Sequence, residues 1–276
     1  MISCTDISEP CLSDPHLPPH LSGKHAMVAV RCFAAIFIIA MPGPVLGQTE
    51  QVATQTDAQS AQSQRGDDSF TPLFPEDGVP EDWVVTTWDD LSKPAGDGAR
   101  WKIVDGVLRG SRSRGTWLVS KQEYSDFELR FEFKLGELGN SGLALRAPMS
   151  GDPAFDGMDL QMADFRYNPQ ATDAELTGGI YRAIAPREQV YRPTEWNRYE
   201  VRLEGRHLFV KLNDVVIHDT NLDQYTDTVK RHDGSDAPPI KDRPRRGHIG
   251  FQELSRGDNR VQIRNARIRV LELAHE

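Results

Sequence analysis

The chain has 276 residues, of which 38% are hydrophobic, a formal net charge of −9 and three cysteines. An acidic chain without a stripe of lysine or arginine lacks the electrostatic footprint of proteins that bind nucleic acid or anionic membranes, so neither is expected as a partner. The cysteines, Cys4, Cys11 and Cys32, lie near the N-terminus, which excludes a disulfide framework, a zinc–thiolate site and a cysteine nucleophile from the remaining chain.

Residues 1–47 are predicted to be a presequence that contains an export signal. The basic residue Arg31 precedes an apolar run over residues 32–41, which is followed by helix-breaking and small residues up to Gly47. This is the order of a secretory signal peptide, and the run is shorter than the roughly 20 residues that span a bilayer. We therefore expect a secreted or periplasmic protein with no integral membrane segment after cleavage. Met27 is an alternative start.

Residues 48–68 are predicted to be a disordered linker. This stretch is rich in Gln, Thr, Ser, Ala and Asp and has no aromatic residue, so it cannot bury enough apolar surface to offset the entropy of ordering. The remaining residues, 69–273, suffice for one large domain and are too few for two.

Short strands with turns between them are predicted along this domain. Asp105-Gly106 suits a tight hairpin turn, because both central residues of such a turn need positive φ. Residues 127–135 place every apolar side chain at an odd position and every charged one at an even position, which is typical of an antiparallel strand with one buried face. Residues 199–204 repeat the pattern, and Asn213-Asp214 marks a further turn in the meander that follows.

The parity of the apolar positions switches near the C-terminus. Apolar residues are odd before Arg264-Asn265 and even after it. A β-bulge produces a slip of this kind, so we expect a bulge at these two residues that redirects a side chain. Nothing after Gly47 shows a sustained helical period of apolar residues. The predicted fold class is therefore all-β, a single domain of two packed sheets.

An ordered set of short motifs resembles the 3-keto-disaccharide hydrolase family from about Phe70 to Leu273. The motifs are Trp101 with Asp105-Gly106, residues 124–127, Gly139-Asn140-Ser141-Gly142 with Arg146, Asp159-Leu160-Gln161 with Asp164, Thr177-Gly178, Glu195-Trp196-Asn197, Leu212-Asn213, residues 247–252 and Arg264-Asn265. The resemblance implies a concanavalin-like jelly-roll β-sandwich, an exported location and hydrolase activity on oxidised disaccharides, with the site on the concave sheet. Asp159 stands where the family usually has Glu, and the connection over residues 221–246 is longer than the family pattern.

Alternation along the strands predicts which polar residues share a face. In residues 158–162 the apolar side chains lie on one face, and Asp159 and Gln161 lie on the other. The same parity puts Arg146 and Gln252 opposite the core. We expect Asp159 to transfer protons, Arg146 to stabilise an oxyanion, and Gln161 and Gln252 to bind sugar hydroxyls.

Three further residues are candidates for the site. Asp164 is a second candidate acid, and Trp196 a candidate apolar wall, although a tryptophan before a strand is as often part of the core. Asn140 lies in a glycine-flanked turn, where it serves either the turn or a ligand.

A 3-keto sugar can be cleaved without a conventional glycosidase step. Its carbonyl acidifies the hydrogen on C2, so a base can form an enolate that expels the C1 substituent, and water then adds back. Three other mechanisms or functions stay open at this point. The first is a two-carboxylate glycosidase that uses Asp159 and Asp164, and the second is a non-catalytic, lectin-like binding module with a shallow aromatic groove. A scaffold role for residues 221–246 is a third.

No cofactor is expected. Asp152, Asp156 and Asp159 have oxygen ligands that suit calcium, but their spacing does not match an EF-hand loop and Pro153 separates the first two. The histidines at 207, 218 and 248 fit no zinc motif. The expected partner is an oxidised disaccharide or glycoside, and the sequence does not predict an oligomeric state.

Overall fold

The computed structural model of the protein describes residues 69–271, so the predicted presequence and linker lie outside the described residues. The described strands are β1 Thr71–Pro72, β2 Trp83–Thr87, β3 Lys102–Val104, β4 Val107–Arg109, β5 Thr116–Tyr124, β6 Phe127–Lys134, β7 Asn140–Ala147, β8 Met158–Ala163, β9 Asn197–Glu204, β10 His207–Leu212, β11 Val215–Asn221, β12 Val229–Lys230, β13 Asp236–Ala237, β14 Gly247–Glu253 and β15 Gln262–Val270. Within the described residues, one short α-helix, α1, spans Pro153–Asp156, and 3-10 turns span Asp173–Glu175, Leu222–Gln224 and Ile240–Asp242.

The strands form two antiparallel sheets that pack face to face as a jelly-roll β-sandwich. The larger sheet has the order β11-β10-β9-β6-β15-β4-β3, with β1 paired to β15, and the smaller has the order β2-β5-β14-β7-β8. Strands β12 and β13 form a separate two-stranded ribbon. No helix within residues 69–271 is both long and apolar enough to cross a bilayer. The predicted all-β sandwich is confirmed.

The core lies between the two sheets and follows the predicted alternation. In β6 the odd residues are buried and the even ones are half-buried, as an antiparallel strand with one face in solvent requires. Phe131 of β6 meets Phe251 of β14 edge to face, with ring centroids 5.4 Å apart, and so joins the larger sheet to the smaller one. The predicted β3–β4 turn is also confirmed, since Asp105 and Gly106 have φ of 53° and 70°.

The predicted bulge near the C-terminus is confirmed. The register of β15 against β6 shifts between Arg264 and Arg267, and Asn265 has a φ of 53°. After the redirection the Arg264 guanidinium lies 4.0 Å from the ring centroid of Trp196. Trp196 therefore supports an arginine of the larger sheet.

A second bulge, which the sequence does not predict, changes the position of Arg146. The pairing of β14 with β7 shifts between His248 and Gly250, and Arg146 itself has a φ of 51°. Side chains of β7 stop alternating between the two faces of the sheet at that point, because a residue in this conformation no longer alternates with its neighbours. The prediction that Arg146 shares a face with Asp159 is therefore wrong.

Arg146 instead ties together the turns at one end of the sandwich. It is 1% exposed, and its Nε and Nη1 donate to the main-chain oxygens of Ser125 and Gly205 at 2.6 and 2.8 Å. Its Nη2 donates to Asp126 Oδ1 at 2.9 Å. Burial lowers the pKa of Arg146 to about 10, and the charge of Asp126 opposes that shift, so the guanidinium is charged at neutral pH. The side chain holds the β5–β6 turn against the β9–β10 turn.

Replacing Arg146 tests this structural role. Arg146→Met leaves the Asp126 carboxylate buried without its partner, so we expect the free energy of unfolding to fall by about 3–5 kcal/mol in a urea titration. Arg202→Met removes an arginine that pairs with Glu128 and Glu204 at the solvent-facing side of the larger sheet, where its own side chain is 43% exposed, and should cost about 1 kcal/mol or less. Equal losses in the two variants would contradict the assigned role.

Candidate functional site

A cavity of about 270 Å³ lies on the face of the smaller sheet that points away from the core. Alternation puts it there, because Met158, Leu160 and Met162 of β8 belong to the core between the sheets. The side chains that line it and are buried are Asn140, Asp152, Ala154, Asp159, Gln161 and Gln252. Those that line it with greater exposure are Trp88, Arg114, Tyr167, Tyr181, His232 and Leu254. We call the first set the floor and the second set the rim.

Asp159 and Gln161 reach the floor from alternate positions of β8, as predicted. The neighbouring strand β7 pairs Gly142 with Gln161 and Ala144 with Asp159. A Cβ atom at Gly142 would lie 2.1 Å from Oδ1 of Asp159, so only glycine leaves room for this carboxyl. The position of the Asp159 carboxyl thus explains why the Gly139-Asn140-Ser141-Gly142 motif ends in glycine.

The Asp159 carboxyl is the most perturbed acid of the floor. It is 2% exposed, and its Oδ1 has no hydrogen-bond partner among the described residues. Burial raises the pKa of Asp159 well above its ordinary value, and the charge of Asp152 raises it further. Burial therefore favours the protonated form of Asp159, which can donate its proton to a bound ligand.

Asp152 is the second floor carboxyl, and it holds its proton less tightly. It precedes α1, and its Oδ1 accepts a hydrogen bond from the main-chain N–H of Ala154 at 3.0 Å. Burial raises the pKa of Asp152 to about 6, although the Ala154 N–H acts against the shift. Asp152 is therefore the more easily ionised of the two floor carboxyls and Asp159 the more easily protonated, which is the kind of pKa difference that general acid–base catalysis uses.

Three buried amides complete the floor, and all three are predicted site residues. Asn140, Gln161 and Gln252 are each 8% exposed or less. Oδ1 of Asn140 has no hydrogen-bond partner among the described residues, and Oε1 of Gln161 accepts only a 3.3 Å bond from its neighbour Met162. The structure thus brings the three amides together with Asp159, and leaves polar atoms free to bind a ligand rich in hydroxyl groups.

Besides Arg146, two further predicted residues lie outside the cavity lining, and the structure corrects their assignment. Asp164 is fully buried, and Arg166 donates to its two oxygens at 2.7 and 2.8 Å, with a further bond from Tyr191. Burial alone would raise the pKa of Asp164, but the bonds and charge of Arg166 lower it, so this carboxylate stays ionised and paired. A two-carboxylate glycosidase built on Asp159 and Asp164 does not fit this arrangement. Trp196 is outside because it lies under Arg264.

The rim contains a histidine that the sequence argument missed. The β12–β13 ribbon carries His232, whose ring centroid lies 5.7 Å from that of Trp88, 5.2 Å from Phe155 and 5.9 Å from Tyr181. Burial and the charge of Arg182 lower the pKa of His232, so its ring is neutral at pH 7. The unusual length of residues 221–246 was the one sequence signal for this contribution, because no local motif connects the ribbon to β8.

Arginines hold the ribbon on the cavity. Arg231 donates through Nη1 and Nη2 to the Asp156 carboxylate of α1, at 3.0 and 2.5 Å. Arg243 is buried, and its Nη1 donates to the main-chain oxygens of Ala154 and Gly157, both at 2.9 Å. The ribbon is therefore part of the cavity wall.

The three carboxylates considered for calcium do not meet at one point. Asp152 and Asp159 both line the floor, but Asp156 is paired with Arg231 instead. Within residues 69–271 no three side chains of His, Cys, Asp or Glu are grouped so that they could hold a metal ion.

A wider depression of about 460 Å³ lies on the outer face of the larger sheet. Its charged side chains pair with one another, as Arg202 does with Glu128 and Glu204 at 3.2 and 2.7 Å. Neutralised pairs leave little for a ligand to bind. The cavity on the smaller sheet is therefore the candidate site.

Known proteins are similar to this chain in sequence and in fold. Residues 69–269 match the family described as 3-keto-alpha-glucoside-1,2-lyase-like domain, which confirms the resemblance drawn from the motifs. A presumed glycosyl hydrolase from Parabacteroides distasonis ATCC 8503 is 27% identical, with a TM-score of 0.59 over 73% of this chain and 99% of that one. A second from the same organism is 22% identical, with a TM-score of 0.58 over 76% and 97%. No curated protein matches the chain.

The raised pKa of Asp159 predicts a gain in stability when this residue is replaced by one that cannot ionise. The folded protein binds this proton more tightly than the unfolded chain, so ionisation costs folding free energy as the pH rises above about 4. Asp159→Asn avoids that cost. Because one pKa unit corresponds to about 1.4 kcal/mol and the pKa of Asp159 is raised well above its ordinary value, we expect the thermal midpoint of the variant to exceed that of the wild type by at least about 4 °C at pH 8 and the gap to close at pH 4. A gap that is constant with pH would show that Asp159 is not the group responsible.

Proposed function

We propose that this chain, which belongs to the family of 3-keto-alpha-glucoside-1,2-lyase-like domains, cleaves the bond between C1 of a 3-keto sugar and its substituent. The observation that carries the proposal is Asp159, a buried carboxyl with an unpartnered oxygen and a raised pKa, which shares a cavity with Asp152, a carboxyl whose pKa is about 6. The family match and the likeness to a presumed glycosyl hydrolase support a carbohydrate substrate. The predicted export signal would place the activity outside the cytoplasm.

The two carboxyls suit an elimination. The C3 carbonyl acidifies the hydrogen on C2, so the Asp152 carboxylate takes that proton and the electron pair moves onto the C3 oxygen as an enolate. The enolate then forms the C1–C2 double bond while the C1–O bond breaks, and the leaving oxygen takes the proton of Asp159. Release of the resulting enone is a lyase reaction. If water adds first, its hydroxyl bonds to C1, Asp152 returns its proton to C2, and the remaining proton of the water restores Asp159, which completes a hydrolysis.

The rest of the cavity suits the sugar. Amide N–H groups of Gln161 and Gln252 and the phenol of Tyr181 can donate to the enolate oxygen and the ring hydroxyls, which replaces the role first predicted for Arg146. Burial raises the pKa of Tyr181 to about 12, so the phenol keeps its proton. The cavity volume of about 270 Å³ lies just below the roughly 300–1,000 Å³ of typical ligand pockets. It has room for one sugar ring, and the leaving part of the substrate would lie at the rim.

A non-catalytic carbohydrate-binding module is the second candidate. The aromatic rings of Trp88, Tyr167 and Tyr181 at the rim favour it, because apolar sugar faces stack on such rings. Sugar binding alone, however, gives no reason for a protonated carboxyl and an ionised one in the same cavity. The elimination uses both.

Turnover of oxidised sugars tests the proposal. The protein is incubated with 3-keto-trehalose and 3-keto-lactose beside the unoxidised sugars, and the enone and the free sugars are quantified. We expect cleavage of the keto sugars alone, and a rate about 10²–10⁴ lower for Asp159→Asn and for Asp152→Asn, which each remove one proton-transfer group. Asp105→Asn is the matched control, since it makes the same chemical change in an exposed turn that tolerates Asn. Saturable binding without turnover of any keto sugar would favour the binding module instead.

The pH dependence of cleavage separates the roles of the two acids. Because Asp152 acts as the base only when ionised, we expect kcat/KM to rise with pH through about 6, the pKa of Asp152. It should fall again at a higher pH, where Asp159 loses the proton that the leaving oxygen needs. Asp152→Asn should remove the rise in whatever activity remains. A profile that keeps the rise in that variant would assign the base to another residue, such as His232.

A further inference from the structure

We propose that Arg114 and Arg256, on either side of Tyr167, form a subsite for an anionic group on the leaving part of the substrate. The group would be a carboxylate, a sulfate ester or a phosphate ester, which share negative charge and oxygen acceptors. The inference rests on the proposed function, because that function places the reacting ring on the floor and the leaving part at the rim.

Arg114 is held in place by groups at the cavity rim. Its Nε donates to the main-chain oxygen of Leu254 at 2.8 Å, and its Nη2 donates to the Tyr167 hydroxyl at 2.6 Å. The side chain is exposed, and its Nη1 donates to no described residue. A fixed guanidinium with free donors is suited to bind a planar or tetrahedral oxyanion, because little side-chain entropy remains to be lost.

Arg256 adds a second positive charge on the other side of Tyr167. Its guanidinium carbon lies 4.4 Å from the centroid of the Tyr167 ring, and its Nη1 donates to the main-chain oxygen of Tyr167 at 3.2 Å. Like Arg114, it is exposed. The two arginines are thus joined through one tyrosine, whose hydroxyl and main chain each accept from one of them.

Neither arginine forms an ion pair with a carboxylate of residues 69–271, which sets them apart from their neighbours. Arg166, next to Tyr167 in the chain, pairs with Asp164 and with Glu137 at 2.7 and 2.9 Å. In a chain with a net charge of −9, two adjacent arginines without acidic partners leave a local positive potential. Their charge is available to a ligand.

The opposite signs at the two ends of the cavity would orient a substrate. Asp152 and Asp159 on the floor disfavour an anionic group there, whereas Arg114 at the rim attracts it. Because the cavity accommodates about one sugar ring, an anionic substituent on the second ring or aglycone would lie near Arg114 when the 3-keto ring occupies the floor. The preferred substrates would therefore be glycosides of acidic sugars or of sulfated or phosphorylated aglycones.

Equilibrium binding tests the subsite without requiring turnover. Calorimetry measures the affinity for glucosyl-glucuronic acid and for glucosyl-glucose at low and high salt. It also compares the affinities for three anionic monosaccharides, glucuronate, glucose 6-sulfate and glucose 6-phosphate, with that for glucose. We expect the anionic member of the disaccharide pair to bind about tenfold more tightly, as one charge-assisted hydrogen bond provides, with a smaller advantage at high salt. The three monosaccharides identify which anion is preferred.

Variants assign the effect to its residues. Arg114→Gln should remove the advantage, and Arg256→Gln should reduce it. Arg112→Gln, a matched change at an exposed arginine that lines a different depression, should leave it intact. Thermal midpoints of the three variants verify that each is folded, and Arg114→Lys should restore part of the advantage in case Arg114→Gln is unstable.

The outcomes separate this inference from the proposed function. Equal affinity for anionic and neutral sugars, or an advantage that survives in Arg114→Gln, would overturn the subsite even if neutral 3-keto sugars are cleaved. An anionic preference that depends on Arg114 supports the subsite even if no keto sugar is turned over. Failure to bind any of these unoxidised sugars would overturn the subsite, whereas the proposed function is judged separately by turnover of the 3-keto sugars.

Discussion

Burial of both faces of the smaller sheet is the constraint on which the site depends. One face packs on the larger sheet, and α1, the ribbon and their neighbours cover part of the other, so every residue of β7, β8 and β14 is buried. The larger sheet differs, since β6 alternates buried and half-buried residues against solvent. A polar side chain on the outer face of β8 is thus buried away from solvent when the protein folds, whereas one on the outer face of β6 stays in contact with solvent. Burial on the smaller sheet raises the pKa of Asp159. Glu128 and Arg202, on the solvent-facing side of the larger sheet, form an ordinary ion pair instead.

The cavity retains polar groups that a stable core would exclude. Oδ1 of Asp159 and Oδ1 of Asn140 are both buried without a hydrogen-bond partner among the described residues. Leaving such atoms unpaired costs about 1–3 kcal/mol each, so a domain selected for stability alone would replace them. A ligand with several hydroxyl groups would satisfy both atoms. Binding would remove the cost of the two unpaired atoms, and this gain would add to the binding free energy. Such an arrangement is expected of a site that is formed before its ligand arrives.

The sequence predicts what depends on local pattern. The strand over residues 127–134, the Asp105-Gly106 turn and the bulge at Arg264-Asn265 follow from alternation and turn chemistry, and all are found. The bulge at Arg146 is missed because Ala147 and Pro148 follow it, so no second run of apolar residues reveals the change of parity. Asp159, Gln161, Gln252 and Asn140 are found because each lies on or next to a strand of readable parity.

Long-range contacts account for the parts of the site that the sequence does not reveal. His232 reaches the rim from a ribbon that is more than 60 residues away from β8 along the chain. Asp152 was considered only as a metal ligand, because its burial beneath that ribbon cannot be read from Asp152-Pro153 alone. Asp164 was overvalued for the opposite reason, since its pairing with Arg166 and Tyr191 satisfies a carboxylate that looks free in the sequence.

The ribbon links the cover of the cavity to its chemistry. Arg231 holds the ribbon through Asp156, and the same two charges act on Asp152: Asp156 raises its pKa and Arg231 lowers it. If the ribbon moved away, Asp152 would lose both Arg231 and part of the burial that chiefly raises its pKa. Asp159 would then gain water at its unpartnered oxygen, and its pKa would return toward the ordinary range. Arg231 thus acts on the pKa of Asp152 from the same segment whose His232 lies at the rim, so the ribbon contributes both to the shape of the cavity and to the proton chemistry of its floor.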